Sequence, residues 1–416
     1  MKFKLLVGFL IFQLSFAQQR TCGMREQMQR IMNDPEQRTA YLEQQRKFKI
    51  ELEKINSGAN RNANVVIRIP VAVHFPAVSN SSPLKACFRA LAQSQINILN
   101  ADYNGTNPDI SNWDDDSAFY PETNTGSLQV EFVLATQNHP TGTGLVNGDL
   151  AVTFGTDFLG SNDSDPTWSG YMNLVCRNEG TRILGYSPLG GSPSGGQTVV
   201  INRFCFGSGA GCTGYIPQEP YNLGRTLTHE LGHFFNLDHT FAGCGEADCS
   251  VYNENSPNGD GVCDTPATDT ETYECPAAGD VTGCGGTSLT MNFMDYVNDA
   301  CMYMFTAGQA ARMQAYYNSI ASQFKTNVLG NEQFLQNQFS LYPNPTKGSF
   351  TIEFKDLVNS FSVEVYDVSG KTIYENNYDQ TASLNQVVNL ENTTSGIYFV
   401  NVKSDRGIVT KKLIIQ

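Results

Sequence analysis

The sequence predicts an α+β domain followed by an all-β sandwich of immunoglobulin-like type. Strand-like apolar runs alternate with helical patterns in the middle of the chain, which favours strands and helices packed in layers. From residue 339 onward, short β-branched and aromatic runs recur between regularly spaced turn residues, which is typical of a sandwich. The chain has 416 residues, enough for two or three domains.

The first 17 residues have the pattern of a secretory signal peptide. Lys2 and Lys4 precede an apolar run that ends in a small-residue cleavage site at Ser15–Ala17. The run is too short to span a bilayer, and no later segment resembles a transmembrane helix. We therefore expect a secreted chain without a membrane span. The net charge of −14 argues against nucleic acid or an anionic membrane as a partner.

Residues 18–60 are expected to form a removable pro-segment. The stretch from Met24 to Ile55 is rich in Gln, Glu, Arg and Lys, and it predicts an exposed helix that breaks near Pro35. Cys22 could hold an adjacent zinc enzyme latent, because a thiolate is a strong zinc ligand. The alternative is that Cys22 is an inert thiol in a disordered start of the chain.

The next part of the chain, residues 61–328, is the predicted catalytic domain. β-branched runs and helically spaced apolar residues predict its elements. Strands are predicted at 65–75, 128–135 and 197–204, and helices at 85–103, from near Leu223, and at 306–322. Residues 140–198 are rich in Gly, Ser, Asp and Pro and give no clear assignment.

A metal-binding pattern, His-Glu-x-x-His-x-x-Asn-x-x-His, begins at His229. His229 and His233 share one face of a helix, and Glu230 can act on a metal-bound water without coordinating the metal. His239 can join them only if the helix stops first, and Asn236 suits the left-handed turn that ends a helix. Three imidazoles leave a fourth position for water, which is the catalytic zinc pattern.

Chance is a poor explanation for this pattern, since it contains three of the five histidines in the chain. The alternative is that the three histidines only pack at a helix end. His74 lies within a strand-like run and is expected in the core, and His139 precedes a proline in a loop. We assign neither of these two to the metal.

A methionine and a tyrosine downstream can complete the site. Met294 would supply a soft, apolar floor below three zinc-binding histidines. Tyr296 could reach the metal or donate a hydrogen bond to an oxyanion. Taken alone, residues 289–296 would be a turn with core methionines, but beside the zinc motif they indicate a two-part site.

Eleven cysteines in an exported chain imply disulfide bonds, and the odd number leaves at least one thiol unpaired. Six of them crowd together after the zinc motif, which suggests local disulfides whose pairing the sequence does not give. These are Cys244, Cys249, Cys263, Cys275, Cys284 and Cys301. Cys22 stands apart from the others and is the expected unpaired thiol.

These motifs are similar to those of the metzincin clan of zinc endopeptidases. Over residues 61–325 the chain resembles the pappalysin family, in particular its cytophagalysin branch. The matching segments are Leu99–Tyr103, His229–His239, Asp264–Pro266, Asn292–Tyr296 and Asp299–Thr306. The resemblance implies a twisted, mostly parallel sheet beside a zinc cleft. It also implies zinc on the three histidines, Glu230 as general base, Met294 as the Met-turn residue, and Tyr296 moving between zinc and the reaction intermediate.

The same resemblance implies further features of the site. Asn236 stands where the clan generally has Gly. Asn can replace Gly there because it tolerates the left-handed turn conformation. The family tends to carry calcium near the active site, and the candidate ligands are Asp264, Thr265 and Asp260. Some relatives prefer Arg or Lys after the scissile bond, which requires an acidic pocket, and Asp269 is the candidate acid.

That basic preference predicts autocatalytic removal of the pro-segment at the Asn60–Arg61 bond, with Arg61 after the cut. At the other end of the chain, a linker at 329–338 leads to residues 339–416. These residues resemble the C-terminal sorting domain of the type IX secretion system, in the segments Leu341–Pro345, Val365–Lys371 and Gly396–Val400. The resemblance implies the secretion machinery as a partner. A carbohydrate- or substrate-binding module is the alternative, because a sandwich does not fix function.

The sequence thus predicts a secreted, monomeric zinc endopeptidase that is made as a latent proenzyme and acts on protein or peptide substrates. The alternative is a catalytically silent surface adhesin built on a peptidase scaffold. The intact Glu230, Met294 and Tyr296 argue against an adhesin, since a scaffold has no need for a general base. Hydrolysis of a non-peptide amide would require a closed pocket, which the sequence does not indicate.

Overall fold

The computed structural model describes most of the chain. The described residues are 20–58, 67–180, 183–244, 259–329, 339–354, 360–368, 370–379, 385–390, 393–404 and 407–416. The predicted signal peptide, the Asn60–Arg61 bond, Cys249 and almost all of the predicted linker lie outside these residues. Within them, no helix is both long enough and apolar enough to cross a membrane.

The predicted pro-segment, called the pro-segment below, contains two helices among its described residues, α1 (Met24–Asn33) and α2 (Pro35–Asn56). They are separated at Asp34, whose side chain accepts hydrogen bonds from the backbone N–H groups of Glu36 and Gln37 and so caps α2. A proline at the first position of α2 has no N–H to satisfy there. The predicted break is therefore confirmed, but one face of α2 is buried, so the prediction of an exposed helix was wrong for that face.

A six-stranded sheet forms the centre of the catalytic domain. Its strands are β1 (Ile67–Phe75), β2 (Val130–Leu134), β3 (Val152–Phe154), β4 (Met172–Arg177), β5 (Gly185–Tyr186) and β6 (Thr198–Asn202). The order is β2-β1-β4-β6-β5, and β3 also pairs with β1. All pairs are parallel except β5 with β6. The mostly parallel sheet is thereby confirmed, with β5 as its antiparallel edge.

Helices pack on this sheet and supply the active-site element. They are α3 (Lys85–Asn104), α5 (Arg225–Phe234) and α6 (Ala307–Ile320), while the short α4 (Trp113–Asp116) packs in a separate small apolar cluster. Helix α3 ends at Gly105, which adopts the left-handed conformation with φ +60°. Helix α6 begins with a capping box, in which the side chains of Thr306 and Gln309 each bond to the other's backbone N–H. One apolar core joins the sheet to α3, α5 and α6.

The described part of the C-terminal domain, from residue 339 onward, is all-β, as predicted. A small hairpin of β7 and β8 precedes α6, and seven strands form the C-terminal domain. The strands are β7 (Thr282–Gly283), β8 (Gly286–Thr287), β9 (Phe339–Tyr342), β10 (Ser349–Phe354), β11 (Ser360–Asp367), β12 (Thr372–Asp379), β13 (Asn385–Asn389), β14 (Gly396–Ser404) and β15 (Gly407–Ile415). The seven form two antiparallel sheets, β13-β10-β9 and β12-β11-β14-β15, around an apolar core of their own.

Disulfide bonds cross-link the catalytic domain. The described pairs are Cys87–Cys212, Cys244–Cys284 and Cys275–Cys301, and Cys263 is also disulfide-bonded. Two of these pairs are local, as the crowding of cysteines suggested, with sequence separations of 40 and 26 residues. Cys22 is unpaired as predicted, and buried Cys176 and Cys205 are also unpaired among the described residues.

A glycine holds the loop after β5 against the end of α5. The Gly191 N–H donates to the Phe234 carbonyl oxygen at 2.9 Å, and a Cβ at residue 191 would lie 2.3 Å from the Phe234 ring. We expect Gly191→Ala to lower the free energy of unfolding by about 1–3 kcal/mol, because the ring has no space to retreat. Gly195→Ala is the control, since nothing lies within 4 Å of its Cβ position. Thermal unfolding of both, in a Glu230→Ala background, checks this; equal melting temperatures would refute it.

Candidate active site

Helix α5 and the turn after it bring the three predicted histidines together. The Nε2 atom of His233 lies 3.2 Å from that of His229 and 3.2 Å from that of His239. Helix α5 ends at Phe234, and Asn236 has φ +70°, so the predicted helix break is confirmed. The left-handed residue reverses the chain, which is why a histidine six positions after His233 can return to the same point.

Hydrogen bonds fix the orientation of two of these rings. Nδ1 of His229 lies 2.7 Å from the Phe293 carbonyl oxygen, and Nδ1 of His233 lies 2.7 Å from that of Leu237. A carbonyl oxygen can only accept, so each Nδ1 carries the proton and each Nε2 lone pair faces the centre. Burial lowers the pKa of His229 and His239, and that of His233 to about 4. Neutral imidazoles with converging lone pairs fit a metal ion.

The thiol of Cys22 joins this cluster from the pro-segment. Its Sγ and one nitrogen from each histidine all lie within 4.8 Å of one another. The thiol donates to Oε2 of Glu230 at 3.2 Å, and the Cys22 N–H donates to the Tyr296 hydroxyl oxygen at 3.2 Å. Burial, and then the Glu230 carboxylate, raise the pKa of the Cys22 thiol. Three imidazoles and a sulfur are a donor set that suits a tetrahedral zinc ion.

Backbone pairing holds the cysteine in position. The Gly23 N–H donates to the Gly185 carbonyl oxygen at 3.0 Å, and the Leu184 N–H donates to that of Thr21 at 3.1 Å. The pro-segment therefore runs as a short parallel bridge along the edge strand β5. Gly185 also makes room for the general-base candidate, since a Cβ there would lie 2.9 Å from Cγ of Glu230.

The Glu230 side chain is 1% exposed and points at the same cluster. Burial raises the pKa of its carboxyl to about 8. A carboxylate with raised proton affinity beside a metal site has the properties of a general base.

Met294 lies under the histidines, against the middle of α5. A Cβ on Gly232 would lie 2.4 Å from the Met294 sulfur, so the glycine is what allows this close approach. The Met294 carbonyl oxygen accepts from the Thr240 N–H at 3.3 Å, which ties the Met-containing turn to the segment after His239. The adjacent Phe293 carbonyl is the one that orients His229.

Tyr296 stands beside the histidines with its ring packed among aromatic side chains. Its ring centroid lies 5.7 Å from that of His229, 5.1 Å from that of His239 and 4.8 Å from that of Phe241. Burial raises the pKa of its hydroxyl, which is therefore protonated at neutral pH. Its position lets the hydroxyl act as a hydrogen-bond donor at the metal cluster once Cys22 is gone.

Helix α3 supports α5 through two polar side chains, Asp102 and Tyr103, whose role the sequence did not indicate. The Tyr103 hydroxyl donates to the Thr228 carbonyl oxygen at 3.0 Å, and the Thr228 hydroxyl donates to Asp102 at 2.7 Å. Asp102 also lies 3.7 Å from the Arg225 guanidinium. These bonds fix the first turns of the helix that carries His229.

A buried ion pair beside the site was missed from the sequence. The Arg20 guanidinium lies 2.5 Å from Oδ1 of Asp299, and both side chains are at most 1% exposed. The other Asp299 oxygen accepts from the Leu223 N–H at 2.9 Å, just before α5 begins. Arg20 also lies over the Tyr221 ring. The available signals were the position of Arg20, two residues before Cys22, and of Asp299, at the start of a matching segment.

Asp269, the predicted specificity acid, does not fit the floor of a buried pocket. It is exposed and lies beside the Cys244–Cys284 disulfide. The calcium candidates make hydrogen bonds within the chain instead. Asp264 accepts from the Thr306 hydroxyl at 2.6 Å and from the Gly308 N–H at 2.8 Å, and so caps α6.

The other two calcium candidates bond to each other. The Thr265 hydroxyl lies 2.8 Å from both carboxylate oxygens of Asp260, one of which also accepts from the Val262 N–H at 3.0 Å. Burial raises the pKa of Asp260 to about 7. The described residues do not gather Asp260 and Asp264 into one group of possible metal ligands. Calcium binding here stays a prediction.

The histidine cluster with an adjacent glutamate, on a helix beside a mostly parallel sheet, defines the class as a metallopeptidase. Residues 212–318 match the family model described as pregnancy-associated plasma protein-A, the pappalysin family. Residues 340–416 match the secretion system C-terminal sorting domain. One part of the chain is therefore similar to pappalysin-type metalloproteases, and its C-terminal part is similar to secretion sorting domains.

Individual relatives agree with this class. An extracellular metalloprotease of Uncinocarpus reesii is 34% identical over 35% of this chain and 48% of its own length. One of Colletotrichum graminicola is 29% identical over 78% of this chain and 100% of its own length. A solved structure of a promirolysin mutant of Tannerella forsythia is 26% identical, with TM-score 0.50, over 72% of this chain and 93% of that chain. Both relatives are described as extracellular metalloproteases, and the chain spans about half the length of the first.

Proposed function

We propose that the chain is a secreted zinc endopeptidase in which His229, His233 and His239 hold the metal and Glu230 is the general base. One observation carries the proposal: three imidazole nitrogens lie within 4.8 Å of one another and of the Cys22 sulfur, and Glu230 and Tyr296 both bond to Cys22. A binding protein on the same scaffold would have no use for Glu230 buried at that point.

Peptide hydrolysis follows from these groups. Bound zinc would lower the pKa of water and polarise the scissile carbonyl. Glu230 takes the proton from the attacking water and delivers it to the leaving amine. The Tyr296 hydroxyl donates a hydrogen bond to the developing oxyanion. No bond forms between the substrate and a side chain of this chain.

The edge strand β5 favours an extended peptide as the substrate. The Leu184 N–H and the Gly185 carbonyl oxygen bond to the backbone of Thr21 and Gly23, which forms a parallel bridge with this edge. An open strand edge recognises backbone groups that any polypeptide offers, so it suits many protein substrates. This supports an endopeptidase over an enzyme that hydrolyses a small amide in a closed pocket.

We propose that the pro-segment keeps the enzyme latent through Cys22. The thiol would occupy the fourth position on zinc, where the attacking water belongs. Cys22 also donates hydrogen bonds to the proposed general base, Glu230, and to the proposed oxyanion donor, Tyr296. One residue thus blocks three catalytic elements. The name of the similar promirolysin, a pro-form, supports latency.

We attribute the preference for Arg or Lys after the scissile bond to Asp299 instead of Asp269. In the latent form Arg20 fills the Asp299 pocket. When the pro-segment leaves, a buried carboxylate loses its partner, which is costly unless another cation enters. A basic substrate side chain would supply it. The predicted autocatalytic cut before Arg61 would present such a side chain.

Glu230→Gln should lower kcat on a peptide substrate by about 100- to 10,000-fold, because a general base contributes that much, while the zinc content stays the same. Glu122→Gln, at an exposed glutamate, is the control. A chelator should abolish wild-type activity, and zinc should restore it.

N-terminal sequencing tests the predicted autocatalytic cut. It should find Arg61 first in the wild type and no processing in Glu230→Gln. Processed, zinc-loaded wild type without peptidase activity would favour the adhesin.

Cys22→Ala should accelerate the loss of the pro-segment and give early activity on a short peptide, because the fourth zinc position is then free for water. Thr21→Ala is the matched neighbour, since only the backbone of Thr21 is used in the pairing with Leu184. Gel electrophoresis during activation measures both. Identical time courses for the two variants would mean that Cys22 is an inert thiol.

Asp299→Asn should lower kcat/KM for peptides with Arg after the scissile bond by about 30-fold or more, because a buried charge pair is lost. Peptides with Leu at that position should be little affected, since Asn can still accept from the Leu223 N–H. Asp269→Asn is the control. If only Asp269→Asn loses the preference for Arg, then Asp269 and not Asp299 binds the basic side chain of the substrate.

A further inference from the structure

The buried face of α2 is unusually polar for a helix that packs on a core. Its fully buried residues are two glutamines and one phenylalanine, with partly buried apolar residues in the following turns. These are Gln44, Gln45 and Phe48, followed by Leu52 and Ile55. Buried glutamines are costly unless each amide finds a partner. Their partners are all in the catalytic domain.

Gln45 pairs with the residue that terminates the active-site helix. Its Nε2 donates to Oδ1 of Asn236 at 3.2 Å, and Nδ2 of Asn236 donates to its Oε1 at 3.1 Å. Both side chains are at most 2% exposed. Such a reciprocal pair satisfies one donor and one acceptor of each amide. Replacing either side chain by an apolar one removes both hydrogen bonds.

The catalytic domain makes room for this pair. Gly190 adopts φ +76°, and a Cβ there would lie 2.6 Å from Nε2 of Gln45 and 2.9 Å from Oδ1 of Asn236. The backbone turn at residue 236 requires only a positive φ, which glycine would also supply. The amide of Asn236 is therefore not explained by the turn, and its contact is with the pro-segment.

Phe48 and Gln44 extend the contact along α6. The Arg312 guanidinium lies 4.9 Å from the centre of the Phe48 ring, and the Tyr316 ring lies 5.7 Å from it. The Gln44 amide donates to the Ser319 hydroxyl at 2.8 Å. We call Gly190, Asn236, Arg312, Tyr316 and Ser319 the helix-binding surface.

This surface shares no residue with the groups that hold Arg20 and Cys22. The pro-segment therefore has two separate anchors, one at the metal cluster with its Asp299 pocket and one on the helix-binding surface. Helix α1 lies between them in the chain. A cut in residues 59–66 leaves both anchors on the same fragment, and linked anchors raise each other's effective concentration.

We propose that the helix-binding surface is a second recognition site for the pro-segment, independent of the active site. A single cut after α2 then leaves the pro-segment bound as a non-covalent inhibitor, and activity appears only when α2 is itself released or degraded. This proposal rests on the proposed latency, which it extends to a second surface whose occupant is the α2 helix of this chain.

The test uses the full chain with Glu230→Ala and a foreign protease site placed between residues 59 and 66. After the cut, size-exclusion chromatography measures whether the pro-segment fragment co-elutes with the catalytic domain. In the parent it should. With Arg20→Ala and Cys22→Ala added, which removes the side-chain contacts of the first anchor, the fragment should still co-elute.

Adding Gln45→Leu to the chain that lacks the first anchor should weaken retention of the fragment by at least about tenfold, since two buried hydrogen bonds are lost. Gln37→Leu, the same change at an exposed position of α2, is the matched control. Equal melting temperatures of the catalytic domains isolated after the cut, which have the same sequence in both variants, exclude misfolding. Phe48→Ala provides a second variant with the same expected loss.

Release of the fragment on loss of Arg20 and Cys22 alone would overturn the proposal, and so would equal retention of Gln45→Leu and Gln37→Leu. Association is measured in a chain inactivated by Glu230→Ala. A failure of the peptidase assignment would therefore leave this readout unchanged, which keeps the two hypotheses separately testable.

Discussion

The turn at Asn236 is the constraint on which the site depends. A helix can place His229 and His233 on one face, but a third ligand from the same segment requires the chain to reverse within a few residues. The left-handed residue at 236 achieves this, with φ +70°. The reversal also directs the Leu237 carbonyl oxygen at Nδ1 of His233. The same turn therefore positions His239 and orients the ring of His233.

A turn of this kind positions ligands only if its helix is immobile, and α5 is held at its start and along its middle. At its start, Asp102, Tyr103 and Asp299 bond to the backbone or side chains of its first residues. Along its middle, the close approach of Met294 to Gly232 ties it to the Met-containing turn. The metal cluster thus lies where three separate parts of the chain meet, and it is rigid because each meeting is buried and hydrogen-bonded.

The pro-segment uses the same features that the catalytic domain needs for itself. Cys22 bonds to Glu230, Arg20 to the aspartate before α5, and Gln45 to Asn236. A latent form that relied on a thiol alone would have one contact to lose. In the proposed latency, the contacts with Glu230, Asp299 and Asn236 each involve a different part of the proposed catalytic apparatus.

The sequence by itself determined the histidine ligand candidates, the helix break, the longer strands and helices, and the class of each domain, because these depend on spacing over a few residues. It did not reveal the strands β3, β4 and β5 or the burial of α2, since residues 140–198 are rich in turn-forming residues and a glutamine-rich face carries little apolar pattern. The Arg20–Asp299 and Gln45–Asn236 pairs join residues 279 and 191 positions apart. Only the tertiary structure decided them, because buried charge and amide groups choose partners by proximity in the folded chain, and local sequence does not encode that proximity.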